Sequence, residues 1–163
     1  MSDVSDQIEA SIALGDFVNI DSSGKANLIG SGLRIFRIDP NSGATSPFGI
    51  LVTLSSPMAL GDSPAFEILL TTATGSVVQL PVPGGSQALR ISQNIDFAEP
   101  SAPQGFSIPK GAVPSTVQFA INFSGGLPLD EGNSYQFRAQ IDHDVVASYS
   151  FYVVKPPPGP LVG

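Results

Sequence analysis

The chain contains no cysteine and no tryptophan, and its single histidine is His143. Without cysteine, disulfides, thiolate metal sites and thiol nucleophiles are excluded. Charge is also sparse. Only 13% of residues are Asp, Glu, Lys or Arg, against about 25% in an average globular domain, so Ser, Thr, Asn, Gln and Gly must carry the surface. The balance is acidic, with 7 Lys and Arg against 14 Asp and Glu and a net charge of −7. That disfavours nucleic acid, whose phosphates need clustered cations, and it disfavours anionic membrane surfaces. The cations Lys25, Arg34, Arg37, Arg90, Lys110, Arg138 and Lys155 are scattered, and the odd spacing of Arg34 and Arg37 puts them on opposite faces of a strand. No run approaches the roughly 18 consecutive apolar residues of a membrane span. The opening residues Met1-Ser2-Asp3-Val4-Ser5-Asp6-Gln7 lack the basic and apolar regions of a secretory signal. The expectation is a protein made and assembled inside a cell.

The 163 residues fit one domain, long enough to bury roughly 68–70% of the unfolded chain's surface without staples. The 17 glycines and 15 prolines, with 42% hydrophobic residues, suit β structure divided by turns. Period-2 alternation recurs along the chain, and helical periodicity is scarce. Residues 8–14 put Ile8, Ala10, Ile12 and Leu14 on one face. The turn Asp21-Ser22-Ser23-Gly24 separates two further extended segments, and a short strand over 33–38 stops at Asp39-Pro40-Asn41-Ser42-Gly43. Residues 48–55 and 65–72 alternate next, and Thr74-Gly75-Ser76 marks a hairpin turn into 77–80. Residues 81–85 break the chain, and 88–91 form a short strand. In the last third, Val117, Phe119, Ile121 and Phe123 share one face, and Tyr135, Phe137, Ala139 and Ile141 share another. Asp142-His143-Asp144 is a tight connection to a final strand over 145–154. About eight or nine strands at intervals of about 8–12 residues predict an antiparallel two-sheet sandwich, immunoglobulin-like or jelly-roll-like. The sandwich is expected to span residues 1–154.

Three segments stand out from that pattern. Residues 98–114 form a long irregular stretch holding Pro100, Pro103, Pro109 and Pro114. Long loops in compact domains tend to be functional or mobile, which makes Phe106 and Ile108 candidate partner-binding residues. Residues 155–163 (Lys-Pro-Pro-Pro-Gly-Pro-Leu-Val-Gly) exclude a helix or a central strand, because proline lacks the backbone donor. They read either as a loose terminus or as an extended arm that docks on a neighbouring subunit, with Pro156, Pro157, Pro158 and Pro160 keeping it extended and Leu161 and Val162 as anchors. Finally, Leu129-Asp130-Glu131-Gly132-Asn133-Ser134-Tyr135 partly matches the Asp-x-Gly-x-Tyr run of a tyrosine corner, with one extra residue between Gly132 and Tyr135.

Candidate chemistry is thin. Any histidine-based scheme must use His143, and its position between Asp142 and Asp144 reads as a solvated turn. No Gly-x-Ser-x-Gly elbow or His-Glu-x-x-His motif occurs. Gly30-Ser31-Gly32 and Gly84-Gly85-Ser86 lack the ending of a phosphate loop. Zinc is disfavoured by one His and no Cys. The oxygens of Asp39-Pro40-Asn41-Ser42-Gly43, and of Asp130, Glu131, Asp142 and Asp144, do not follow calcium-loop spacing. Tyr149 and Tyr152 fall on opposite faces of the last strand, so one of them is free to be exposed. No catalytic, cofactor-binding or metal-binding residue is therefore expected.

The segment from Leu14-Gly15-Asp16-Phe17 through Gly24-Lys25 to Ile29-Gly30-Ser31-Gly32 resembles the opening of a family of uncharacterised actinobacterial and actinophage domains. Gly132…Tyr135-Gln136-Phe137…Ile141-Asp142 is similar to that family's closing hairpin. The resemblance implies a β-sandwich of unknown function without known catalytic residues, and the Pro-rich 98–114 loop and tail depart from it. The expected function is a non-enzymatic structural protein that binds protein subunits or itself, most simply a virion accessory protein (a capsid decoration or minor capsid or tail protein) assembled in the bacterial cytoplasm. The alternative is a bacterial ligand- or protein-binding sandwich module in the cytoplasm.

Overall fold

The computed structural model describes residues 4–57 and 59–159. A 3-10 turn, Ser5–Gln7, precedes β1 (Glu9–Gly15), β2 (Phe17–Ile20), β3 (Ala26–Ile29), β4 (Ile35–Phe36), β5 (Phe48–Ser56) and β6 (Ala65–Thr72). There follow β7 (Gln79–Val82), β8 (Gly85–Ala88), β9 (Arg90–Asn94), β10 (Ser115–Phe123), β11 (Asn133–Ile141) and β12 (Asp144–Val153). Twelve strands among the described residues exceed the eight or nine expected, because several pairings are too short to show as alternation. Residues 81–85 do not break the chain as expected. Pro81 and Val82 belong to β7, and Pro83-Gly84, with Gly84 at φ +87°, turns the chain into β8. That is the proline and glycine placement of a type II turn. The expected strand over 33–38 shrinks to Ile35–Phe36, since the chain leaves its parallel partner β12 at once and folds back through an Ile38–Thr45 bridge.

One sheet has the order β1-β5-β10, and the facing sheet has the order β4-β12-β11-β6-β9. Two separate hairpins, β2–β3 and β7–β8, stand outside both. With the hairpins and the short edges β4 and β9 set aside, the six remaining strands β1, β5, β6, β10, β11 and β12 follow the immunoglobulin arrangement. Strands in the A, B and E positions face those in the G, F and C positions. This order selects the immunoglobulin-like sandwich over the jelly roll. Among the described residues no strand occupies the D position beside β10, and the chain that would supply it is the irregular stretch 98–114.

The core lies between the sheets. Phe48, Ile50, Val52 and Leu54 of β5 meet Phe66, Ile68 and Leu70 of β6, Tyr135, Phe137, Ala139 and Ile141 of β11, and Phe151 and Val153 of β12, all buried. Each fully buried Leu, Ile, Val or Phe contributes about 1.5–3 kcal/mol. Aromatic pairs knit the layers, with ring centroids 4.9 Å apart for Phe36 and Phe48, 5.0 Å for Phe36 and Phe151, and 4.7 Å for Phe66 and Phe119. Tyr149 and Tyr152 do face opposite ways. Tyr149 is buried, donates from its hydroxyl to Leu33 O at 3.0 Å and carries the Arg34 guanidinium 3.9 Å above its ring, while Tyr152 is exposed.

The β2–β3 hairpin is seated on the three-stranded sheet by two residues far from it in sequence. Gly49 of β5 has no Cβ, and one placed there would come within 2.8 Å of the Val18 side chain, so only glycine admits the fully buried Val18. Asn122 of β10 then donates to Val18 O at 2.6 Å and accepts from Val18 N at 3.1 Å. At the hairpin's base, Asp16 N donates to Ile29 O and Gly32 N to Leu14 O. The Leu14–Gly32 segment is thus a single closed excursion between β1 and β4.

Candidate partner-binding site

The loop 98–114 leaves β9 and returns to β10. Its backbone is organised by two short turns, Phe106 N to Pro103 O and Ala112 N to Pro109 O, both at 3.0 Å. The prolines fix φ and remove donors, so the segment turns without pairing into a sheet. On this frame Phe106 is 76% exposed, more than any other large apolar residue among the described ones, and Val113 is exposed with it. Ile108 is half-buried. Sequence reading singled out Phe106 and missed Val113, because a loop residue's exposure depends on what the loop folds against.

The C-terminal segment leaves β12 after Val154 N donates to Phe36 O at 2.9 Å. Lys155, Pro156, Pro157, Pro158 and Gly159 are exposed and outside any strand, as an extended arm requires. Pro160, Leu161 and Val162 lie outside the described residues. The root of the arm and Arg37, Ile38 and Glu131 bound a cleft of about 530 Å³.

Loop and arm root at opposite ends of the sandwich. Asn94, just before the loop, pairs with Ala65, whose N–H donates to the Asp142 carboxylate in the β11–β12 turn. The loop's return, Ser115, lies at that same end, since Phe119 stacks on Phe66 of β6. Val153, before the arm, pairs with Asn133 at the far end of β11. The expected contact residues therefore form two separate elements.

The arm's end of the sandwich holds the tyrosine corner. Tyr135 is buried and its hydroxyl accepts from Asp130 N at 3.0 Å. Beside it opens a cavity of about 580 Å³ lined by Thr72, Thr74, Gln79, Asn133, Ser134 and the exposed Tyr152, among others. Asp130, Tyr135, Val77 and Val78 line it as well, so its surface mixes hydroxyls and amides with one acidic residue, two aromatic rings and apolar side chains. Tyr152 was legible as an outward residue of β12. The cavity was not, because its walls come from strands distant in sequence.

The carboxylates flagged in the sequence are dispersed or engaged. Asp130 and Glu131 precede β11, while Asp142 and Asp144 follow it, a strand length of about 30 Å away. Asp144 accepts from Ser5 Oγ at 3.0 Å. Asp39 accepts from Asn41 N at 2.8 Å within its own turn. Asp21 accepts from Ser23 N, Ser23 Oγ and Lys25 N, and these bonds, the Ser23 hydroxyl foremost, hold its carboxyl below the usual range. His143 is exposed at the turn tip, with φ +75° beside Asp142 at φ +48°. Among the described residues no three His, Asp or Glu side chains gather as a ligand set, and no helix is long and apolar enough to cross a membrane.

No family model and no curated protein matches the chain. Among solved structures it is similar to the crystal structure of an immunoglobulin-like protein from Pseudomonas aeruginosa, with a TM-score of 0.46 and 18% sequence identity over 90% of this chain and 95% of that one.

Proposed function

We propose that this chain is a non-catalytic assembly module that docks on a neighbouring protein subunit of a larger particle, as a virion accessory component. The observation that carries the reading is Phe106, a large aromatic side chain 76% exposed on a loop that its own turns and prolines hold in shape. Leaving such a ring in water is unfavourable, and burying it against a partner returns about 1.5–3 kcal/mol. The exposed proline arm supports the same reading, because an extended segment adds contact area without enlarging the core. The resemblance of both ends of the chain to actinophage and actinobacterial domains supports the choice of particle. The test is sedimentation of a native lysate through a density gradient, with this chain located by mass spectrometry. Stoichiometric travel with a large particle is expected. A chain that remains at the top as a small species overturns the proposal.

A second reading, a bacterial ligand-binding sandwich module, is favoured by the cavity beside Tyr152. It predicts a rise in thermal stability when the purified domain meets its small-molecule ligand. A panel of small polar ligands, neutral and cationic, that leaves the unfolding temperature unchanged contradicts it.

A further inference from the structure

The strand β10 carries a core pattern but is not buried like a core strand. Its inward residues Val117, Phe119, Ile121 and Phe123 lie opposite Leu54, Val52, Ile50 and Phe48 of β5. The β5 residues are 0–1% exposed, whereas all four on β10 are only half-buried. The cause is topological. β10 ends the sheet β1-β5-β10, and among the described residues no strand pairs with its outer edge, the β2–β3 hairpin hydrogen-bonding to β10 only through the Asn122 side chain. The stretch that would fill that edge, 98–114, bonds internally through its two turns, and among the described residues the backbone of 116–121 bonds only to β5. A cleft of about 230 Å³ lined by Phe66, Ile91, Phe119 and Ile121 opens between β10 and β9, the free edge of the facing sheet.

Edge strands are ordinarily guarded by lysine, proline, a bulge or brevity. β4 uses brevity, with two residues. β10 uses none of these. It has 9 residues, Ser-Thr-Val-Gln-Phe-Ala-Ile-Asn-Phe, with no charge and no proline, and its register against β5 runs without a shift.

From this we infer that the free edge of β10 is a homodimer interface, pairing antiparallel with β10 of a second copy about a twofold axis at Phe119. The occupant follows from three features. In that register Val117 of one copy lies opposite Ile121 of the other and Phe119 opposite Phe119, so the half-exposed Val117, Phe119, Ile121 and Phe123 of both copies fall on one face and both cores become continuous. The strand carries no charge, so two chains of net charge −7 meet along an edge where like charges do not oppose each other. The contact is isologous and closes at two copies, which ends the growth that an open edge otherwise invites. The resulting sheet has the order β1-β5-β10-β10-β5-β1. The inference is independent of the loop reading, since it uses neither Phe106 nor the arm.

Sedimentation velocity of the purified full chain over a concentration series tests it. The wild type is expected to move from one to two times the 16.9 kDa chain mass as concentration rises. The variant Gln118→Lys/Ala120→Lys, which sets lysines opposite each other across the axis, is expected to stay monomeric with a cooperative unfolding transition. Hydrogen exchange on the wild type gives a second readout that needs no variant, with amides in 115–123 slowing as concentration rises. A wild type that remains monomeric throughout overturns the inference. So does a dimer that survives in the lysine variant, or whose formation protects other strands and leaves β10 unchanged.

Discussion

The hydroxyl of Tyr135 accepts a hydrogen bond of 3.0 Å from the backbone N–H of Asp130, five residues upstream. The extra residue between Gly132 and Tyr135 is absorbed at the corner, where Gly132 takes φ +77° and its N–H donates to Val153 O at 2.7 Å. The bond ties the β10–β11 connection to the core, since the same ring stacks 5.8 Å from Phe151. Tyr135→Phe keeps the ring and removes the acceptor, leaving the Asp130 N–H without its partner. It is expected to lower unfolding stability by about 1–2 kcal/mol, measured by chemical denaturation. An unchanged midpoint would show that water replaces the corner bond at no cost.

The β11–β12 turn places two non-glycine residues at positive φ, Asp142 at +48° and His143 at +75°. Asp142 has a reason to be there, because its carboxylate accepts from Ala65 N at 3.0 Å. The His143 side chain makes no hydrogen bond among the described residues and holds the position that type I′ turns give to glycine. His143→Gly is therefore expected to stabilise the fold by up to about 1 kcal/mol, the relief of left-handed strain less the added freedom of the unfolded chain. A lower thermal midpoint would refute this.

Asn122 reads both the N–H and the carbonyl of Val18, like a neighbouring strand. Asn122→Asp retains an acceptor for Val18 N but turns a carboxylate oxygen toward Val18 O. A loss of about 2–3 kcal/mol is expected, the cost of a partly buried polar mismatch. Faster amide exchange in β2 and β3 than in β5 would place the damage in the hairpin. Uniform acceleration across the domain would contradict its assignment to this contact.

Asp21 supplies a small pH effect of fixed sign. Its carboxyl is lowered in the folded chain, so its stabilising contribution is present above the ordinary carboxylate range and is lost as pH falls through the lowered value. Ser23→Ala removes the foremost cause and is expected to move the Asp21 titration, followed by NMR, back up toward the ordinary range. A titration that does not move would assign the shift to the backbone donors instead.

Much of the fold was legible because it is local. The alternation of β5, β6 and β12 shows their ends to within a residue or two, that of β11 shows its buried face, and recurrent Pro and Gly between such segments point to the sandwich. What could not be read depends on pairings between distant residues. Pro81 reads as a breaker until β7 is seen to pair only with β8. Val117, Phe119, Ile121 and Phe123 read as core, yet the missing neighbour that leaves them half-buried has no local signature. The candidate site was legible in part. Phe106 stood out by its place in a proline-rich loop, but nothing local showed that loop and arm root at opposite ends of the domain.

The central claim, that the chain assembles through the 98–114 loop, is tested most directly by a Phe106→Asp variant run in the same gradient as the wild type. The side chain is 76% exposed, so the substitution leaves folding intact. The account predicts that the wild type sediments with the large particle and that the variant shifts to the top fractions with its unfolding transition unchanged. A variant that still travels with the particle in stoichiometric amount would contradict it.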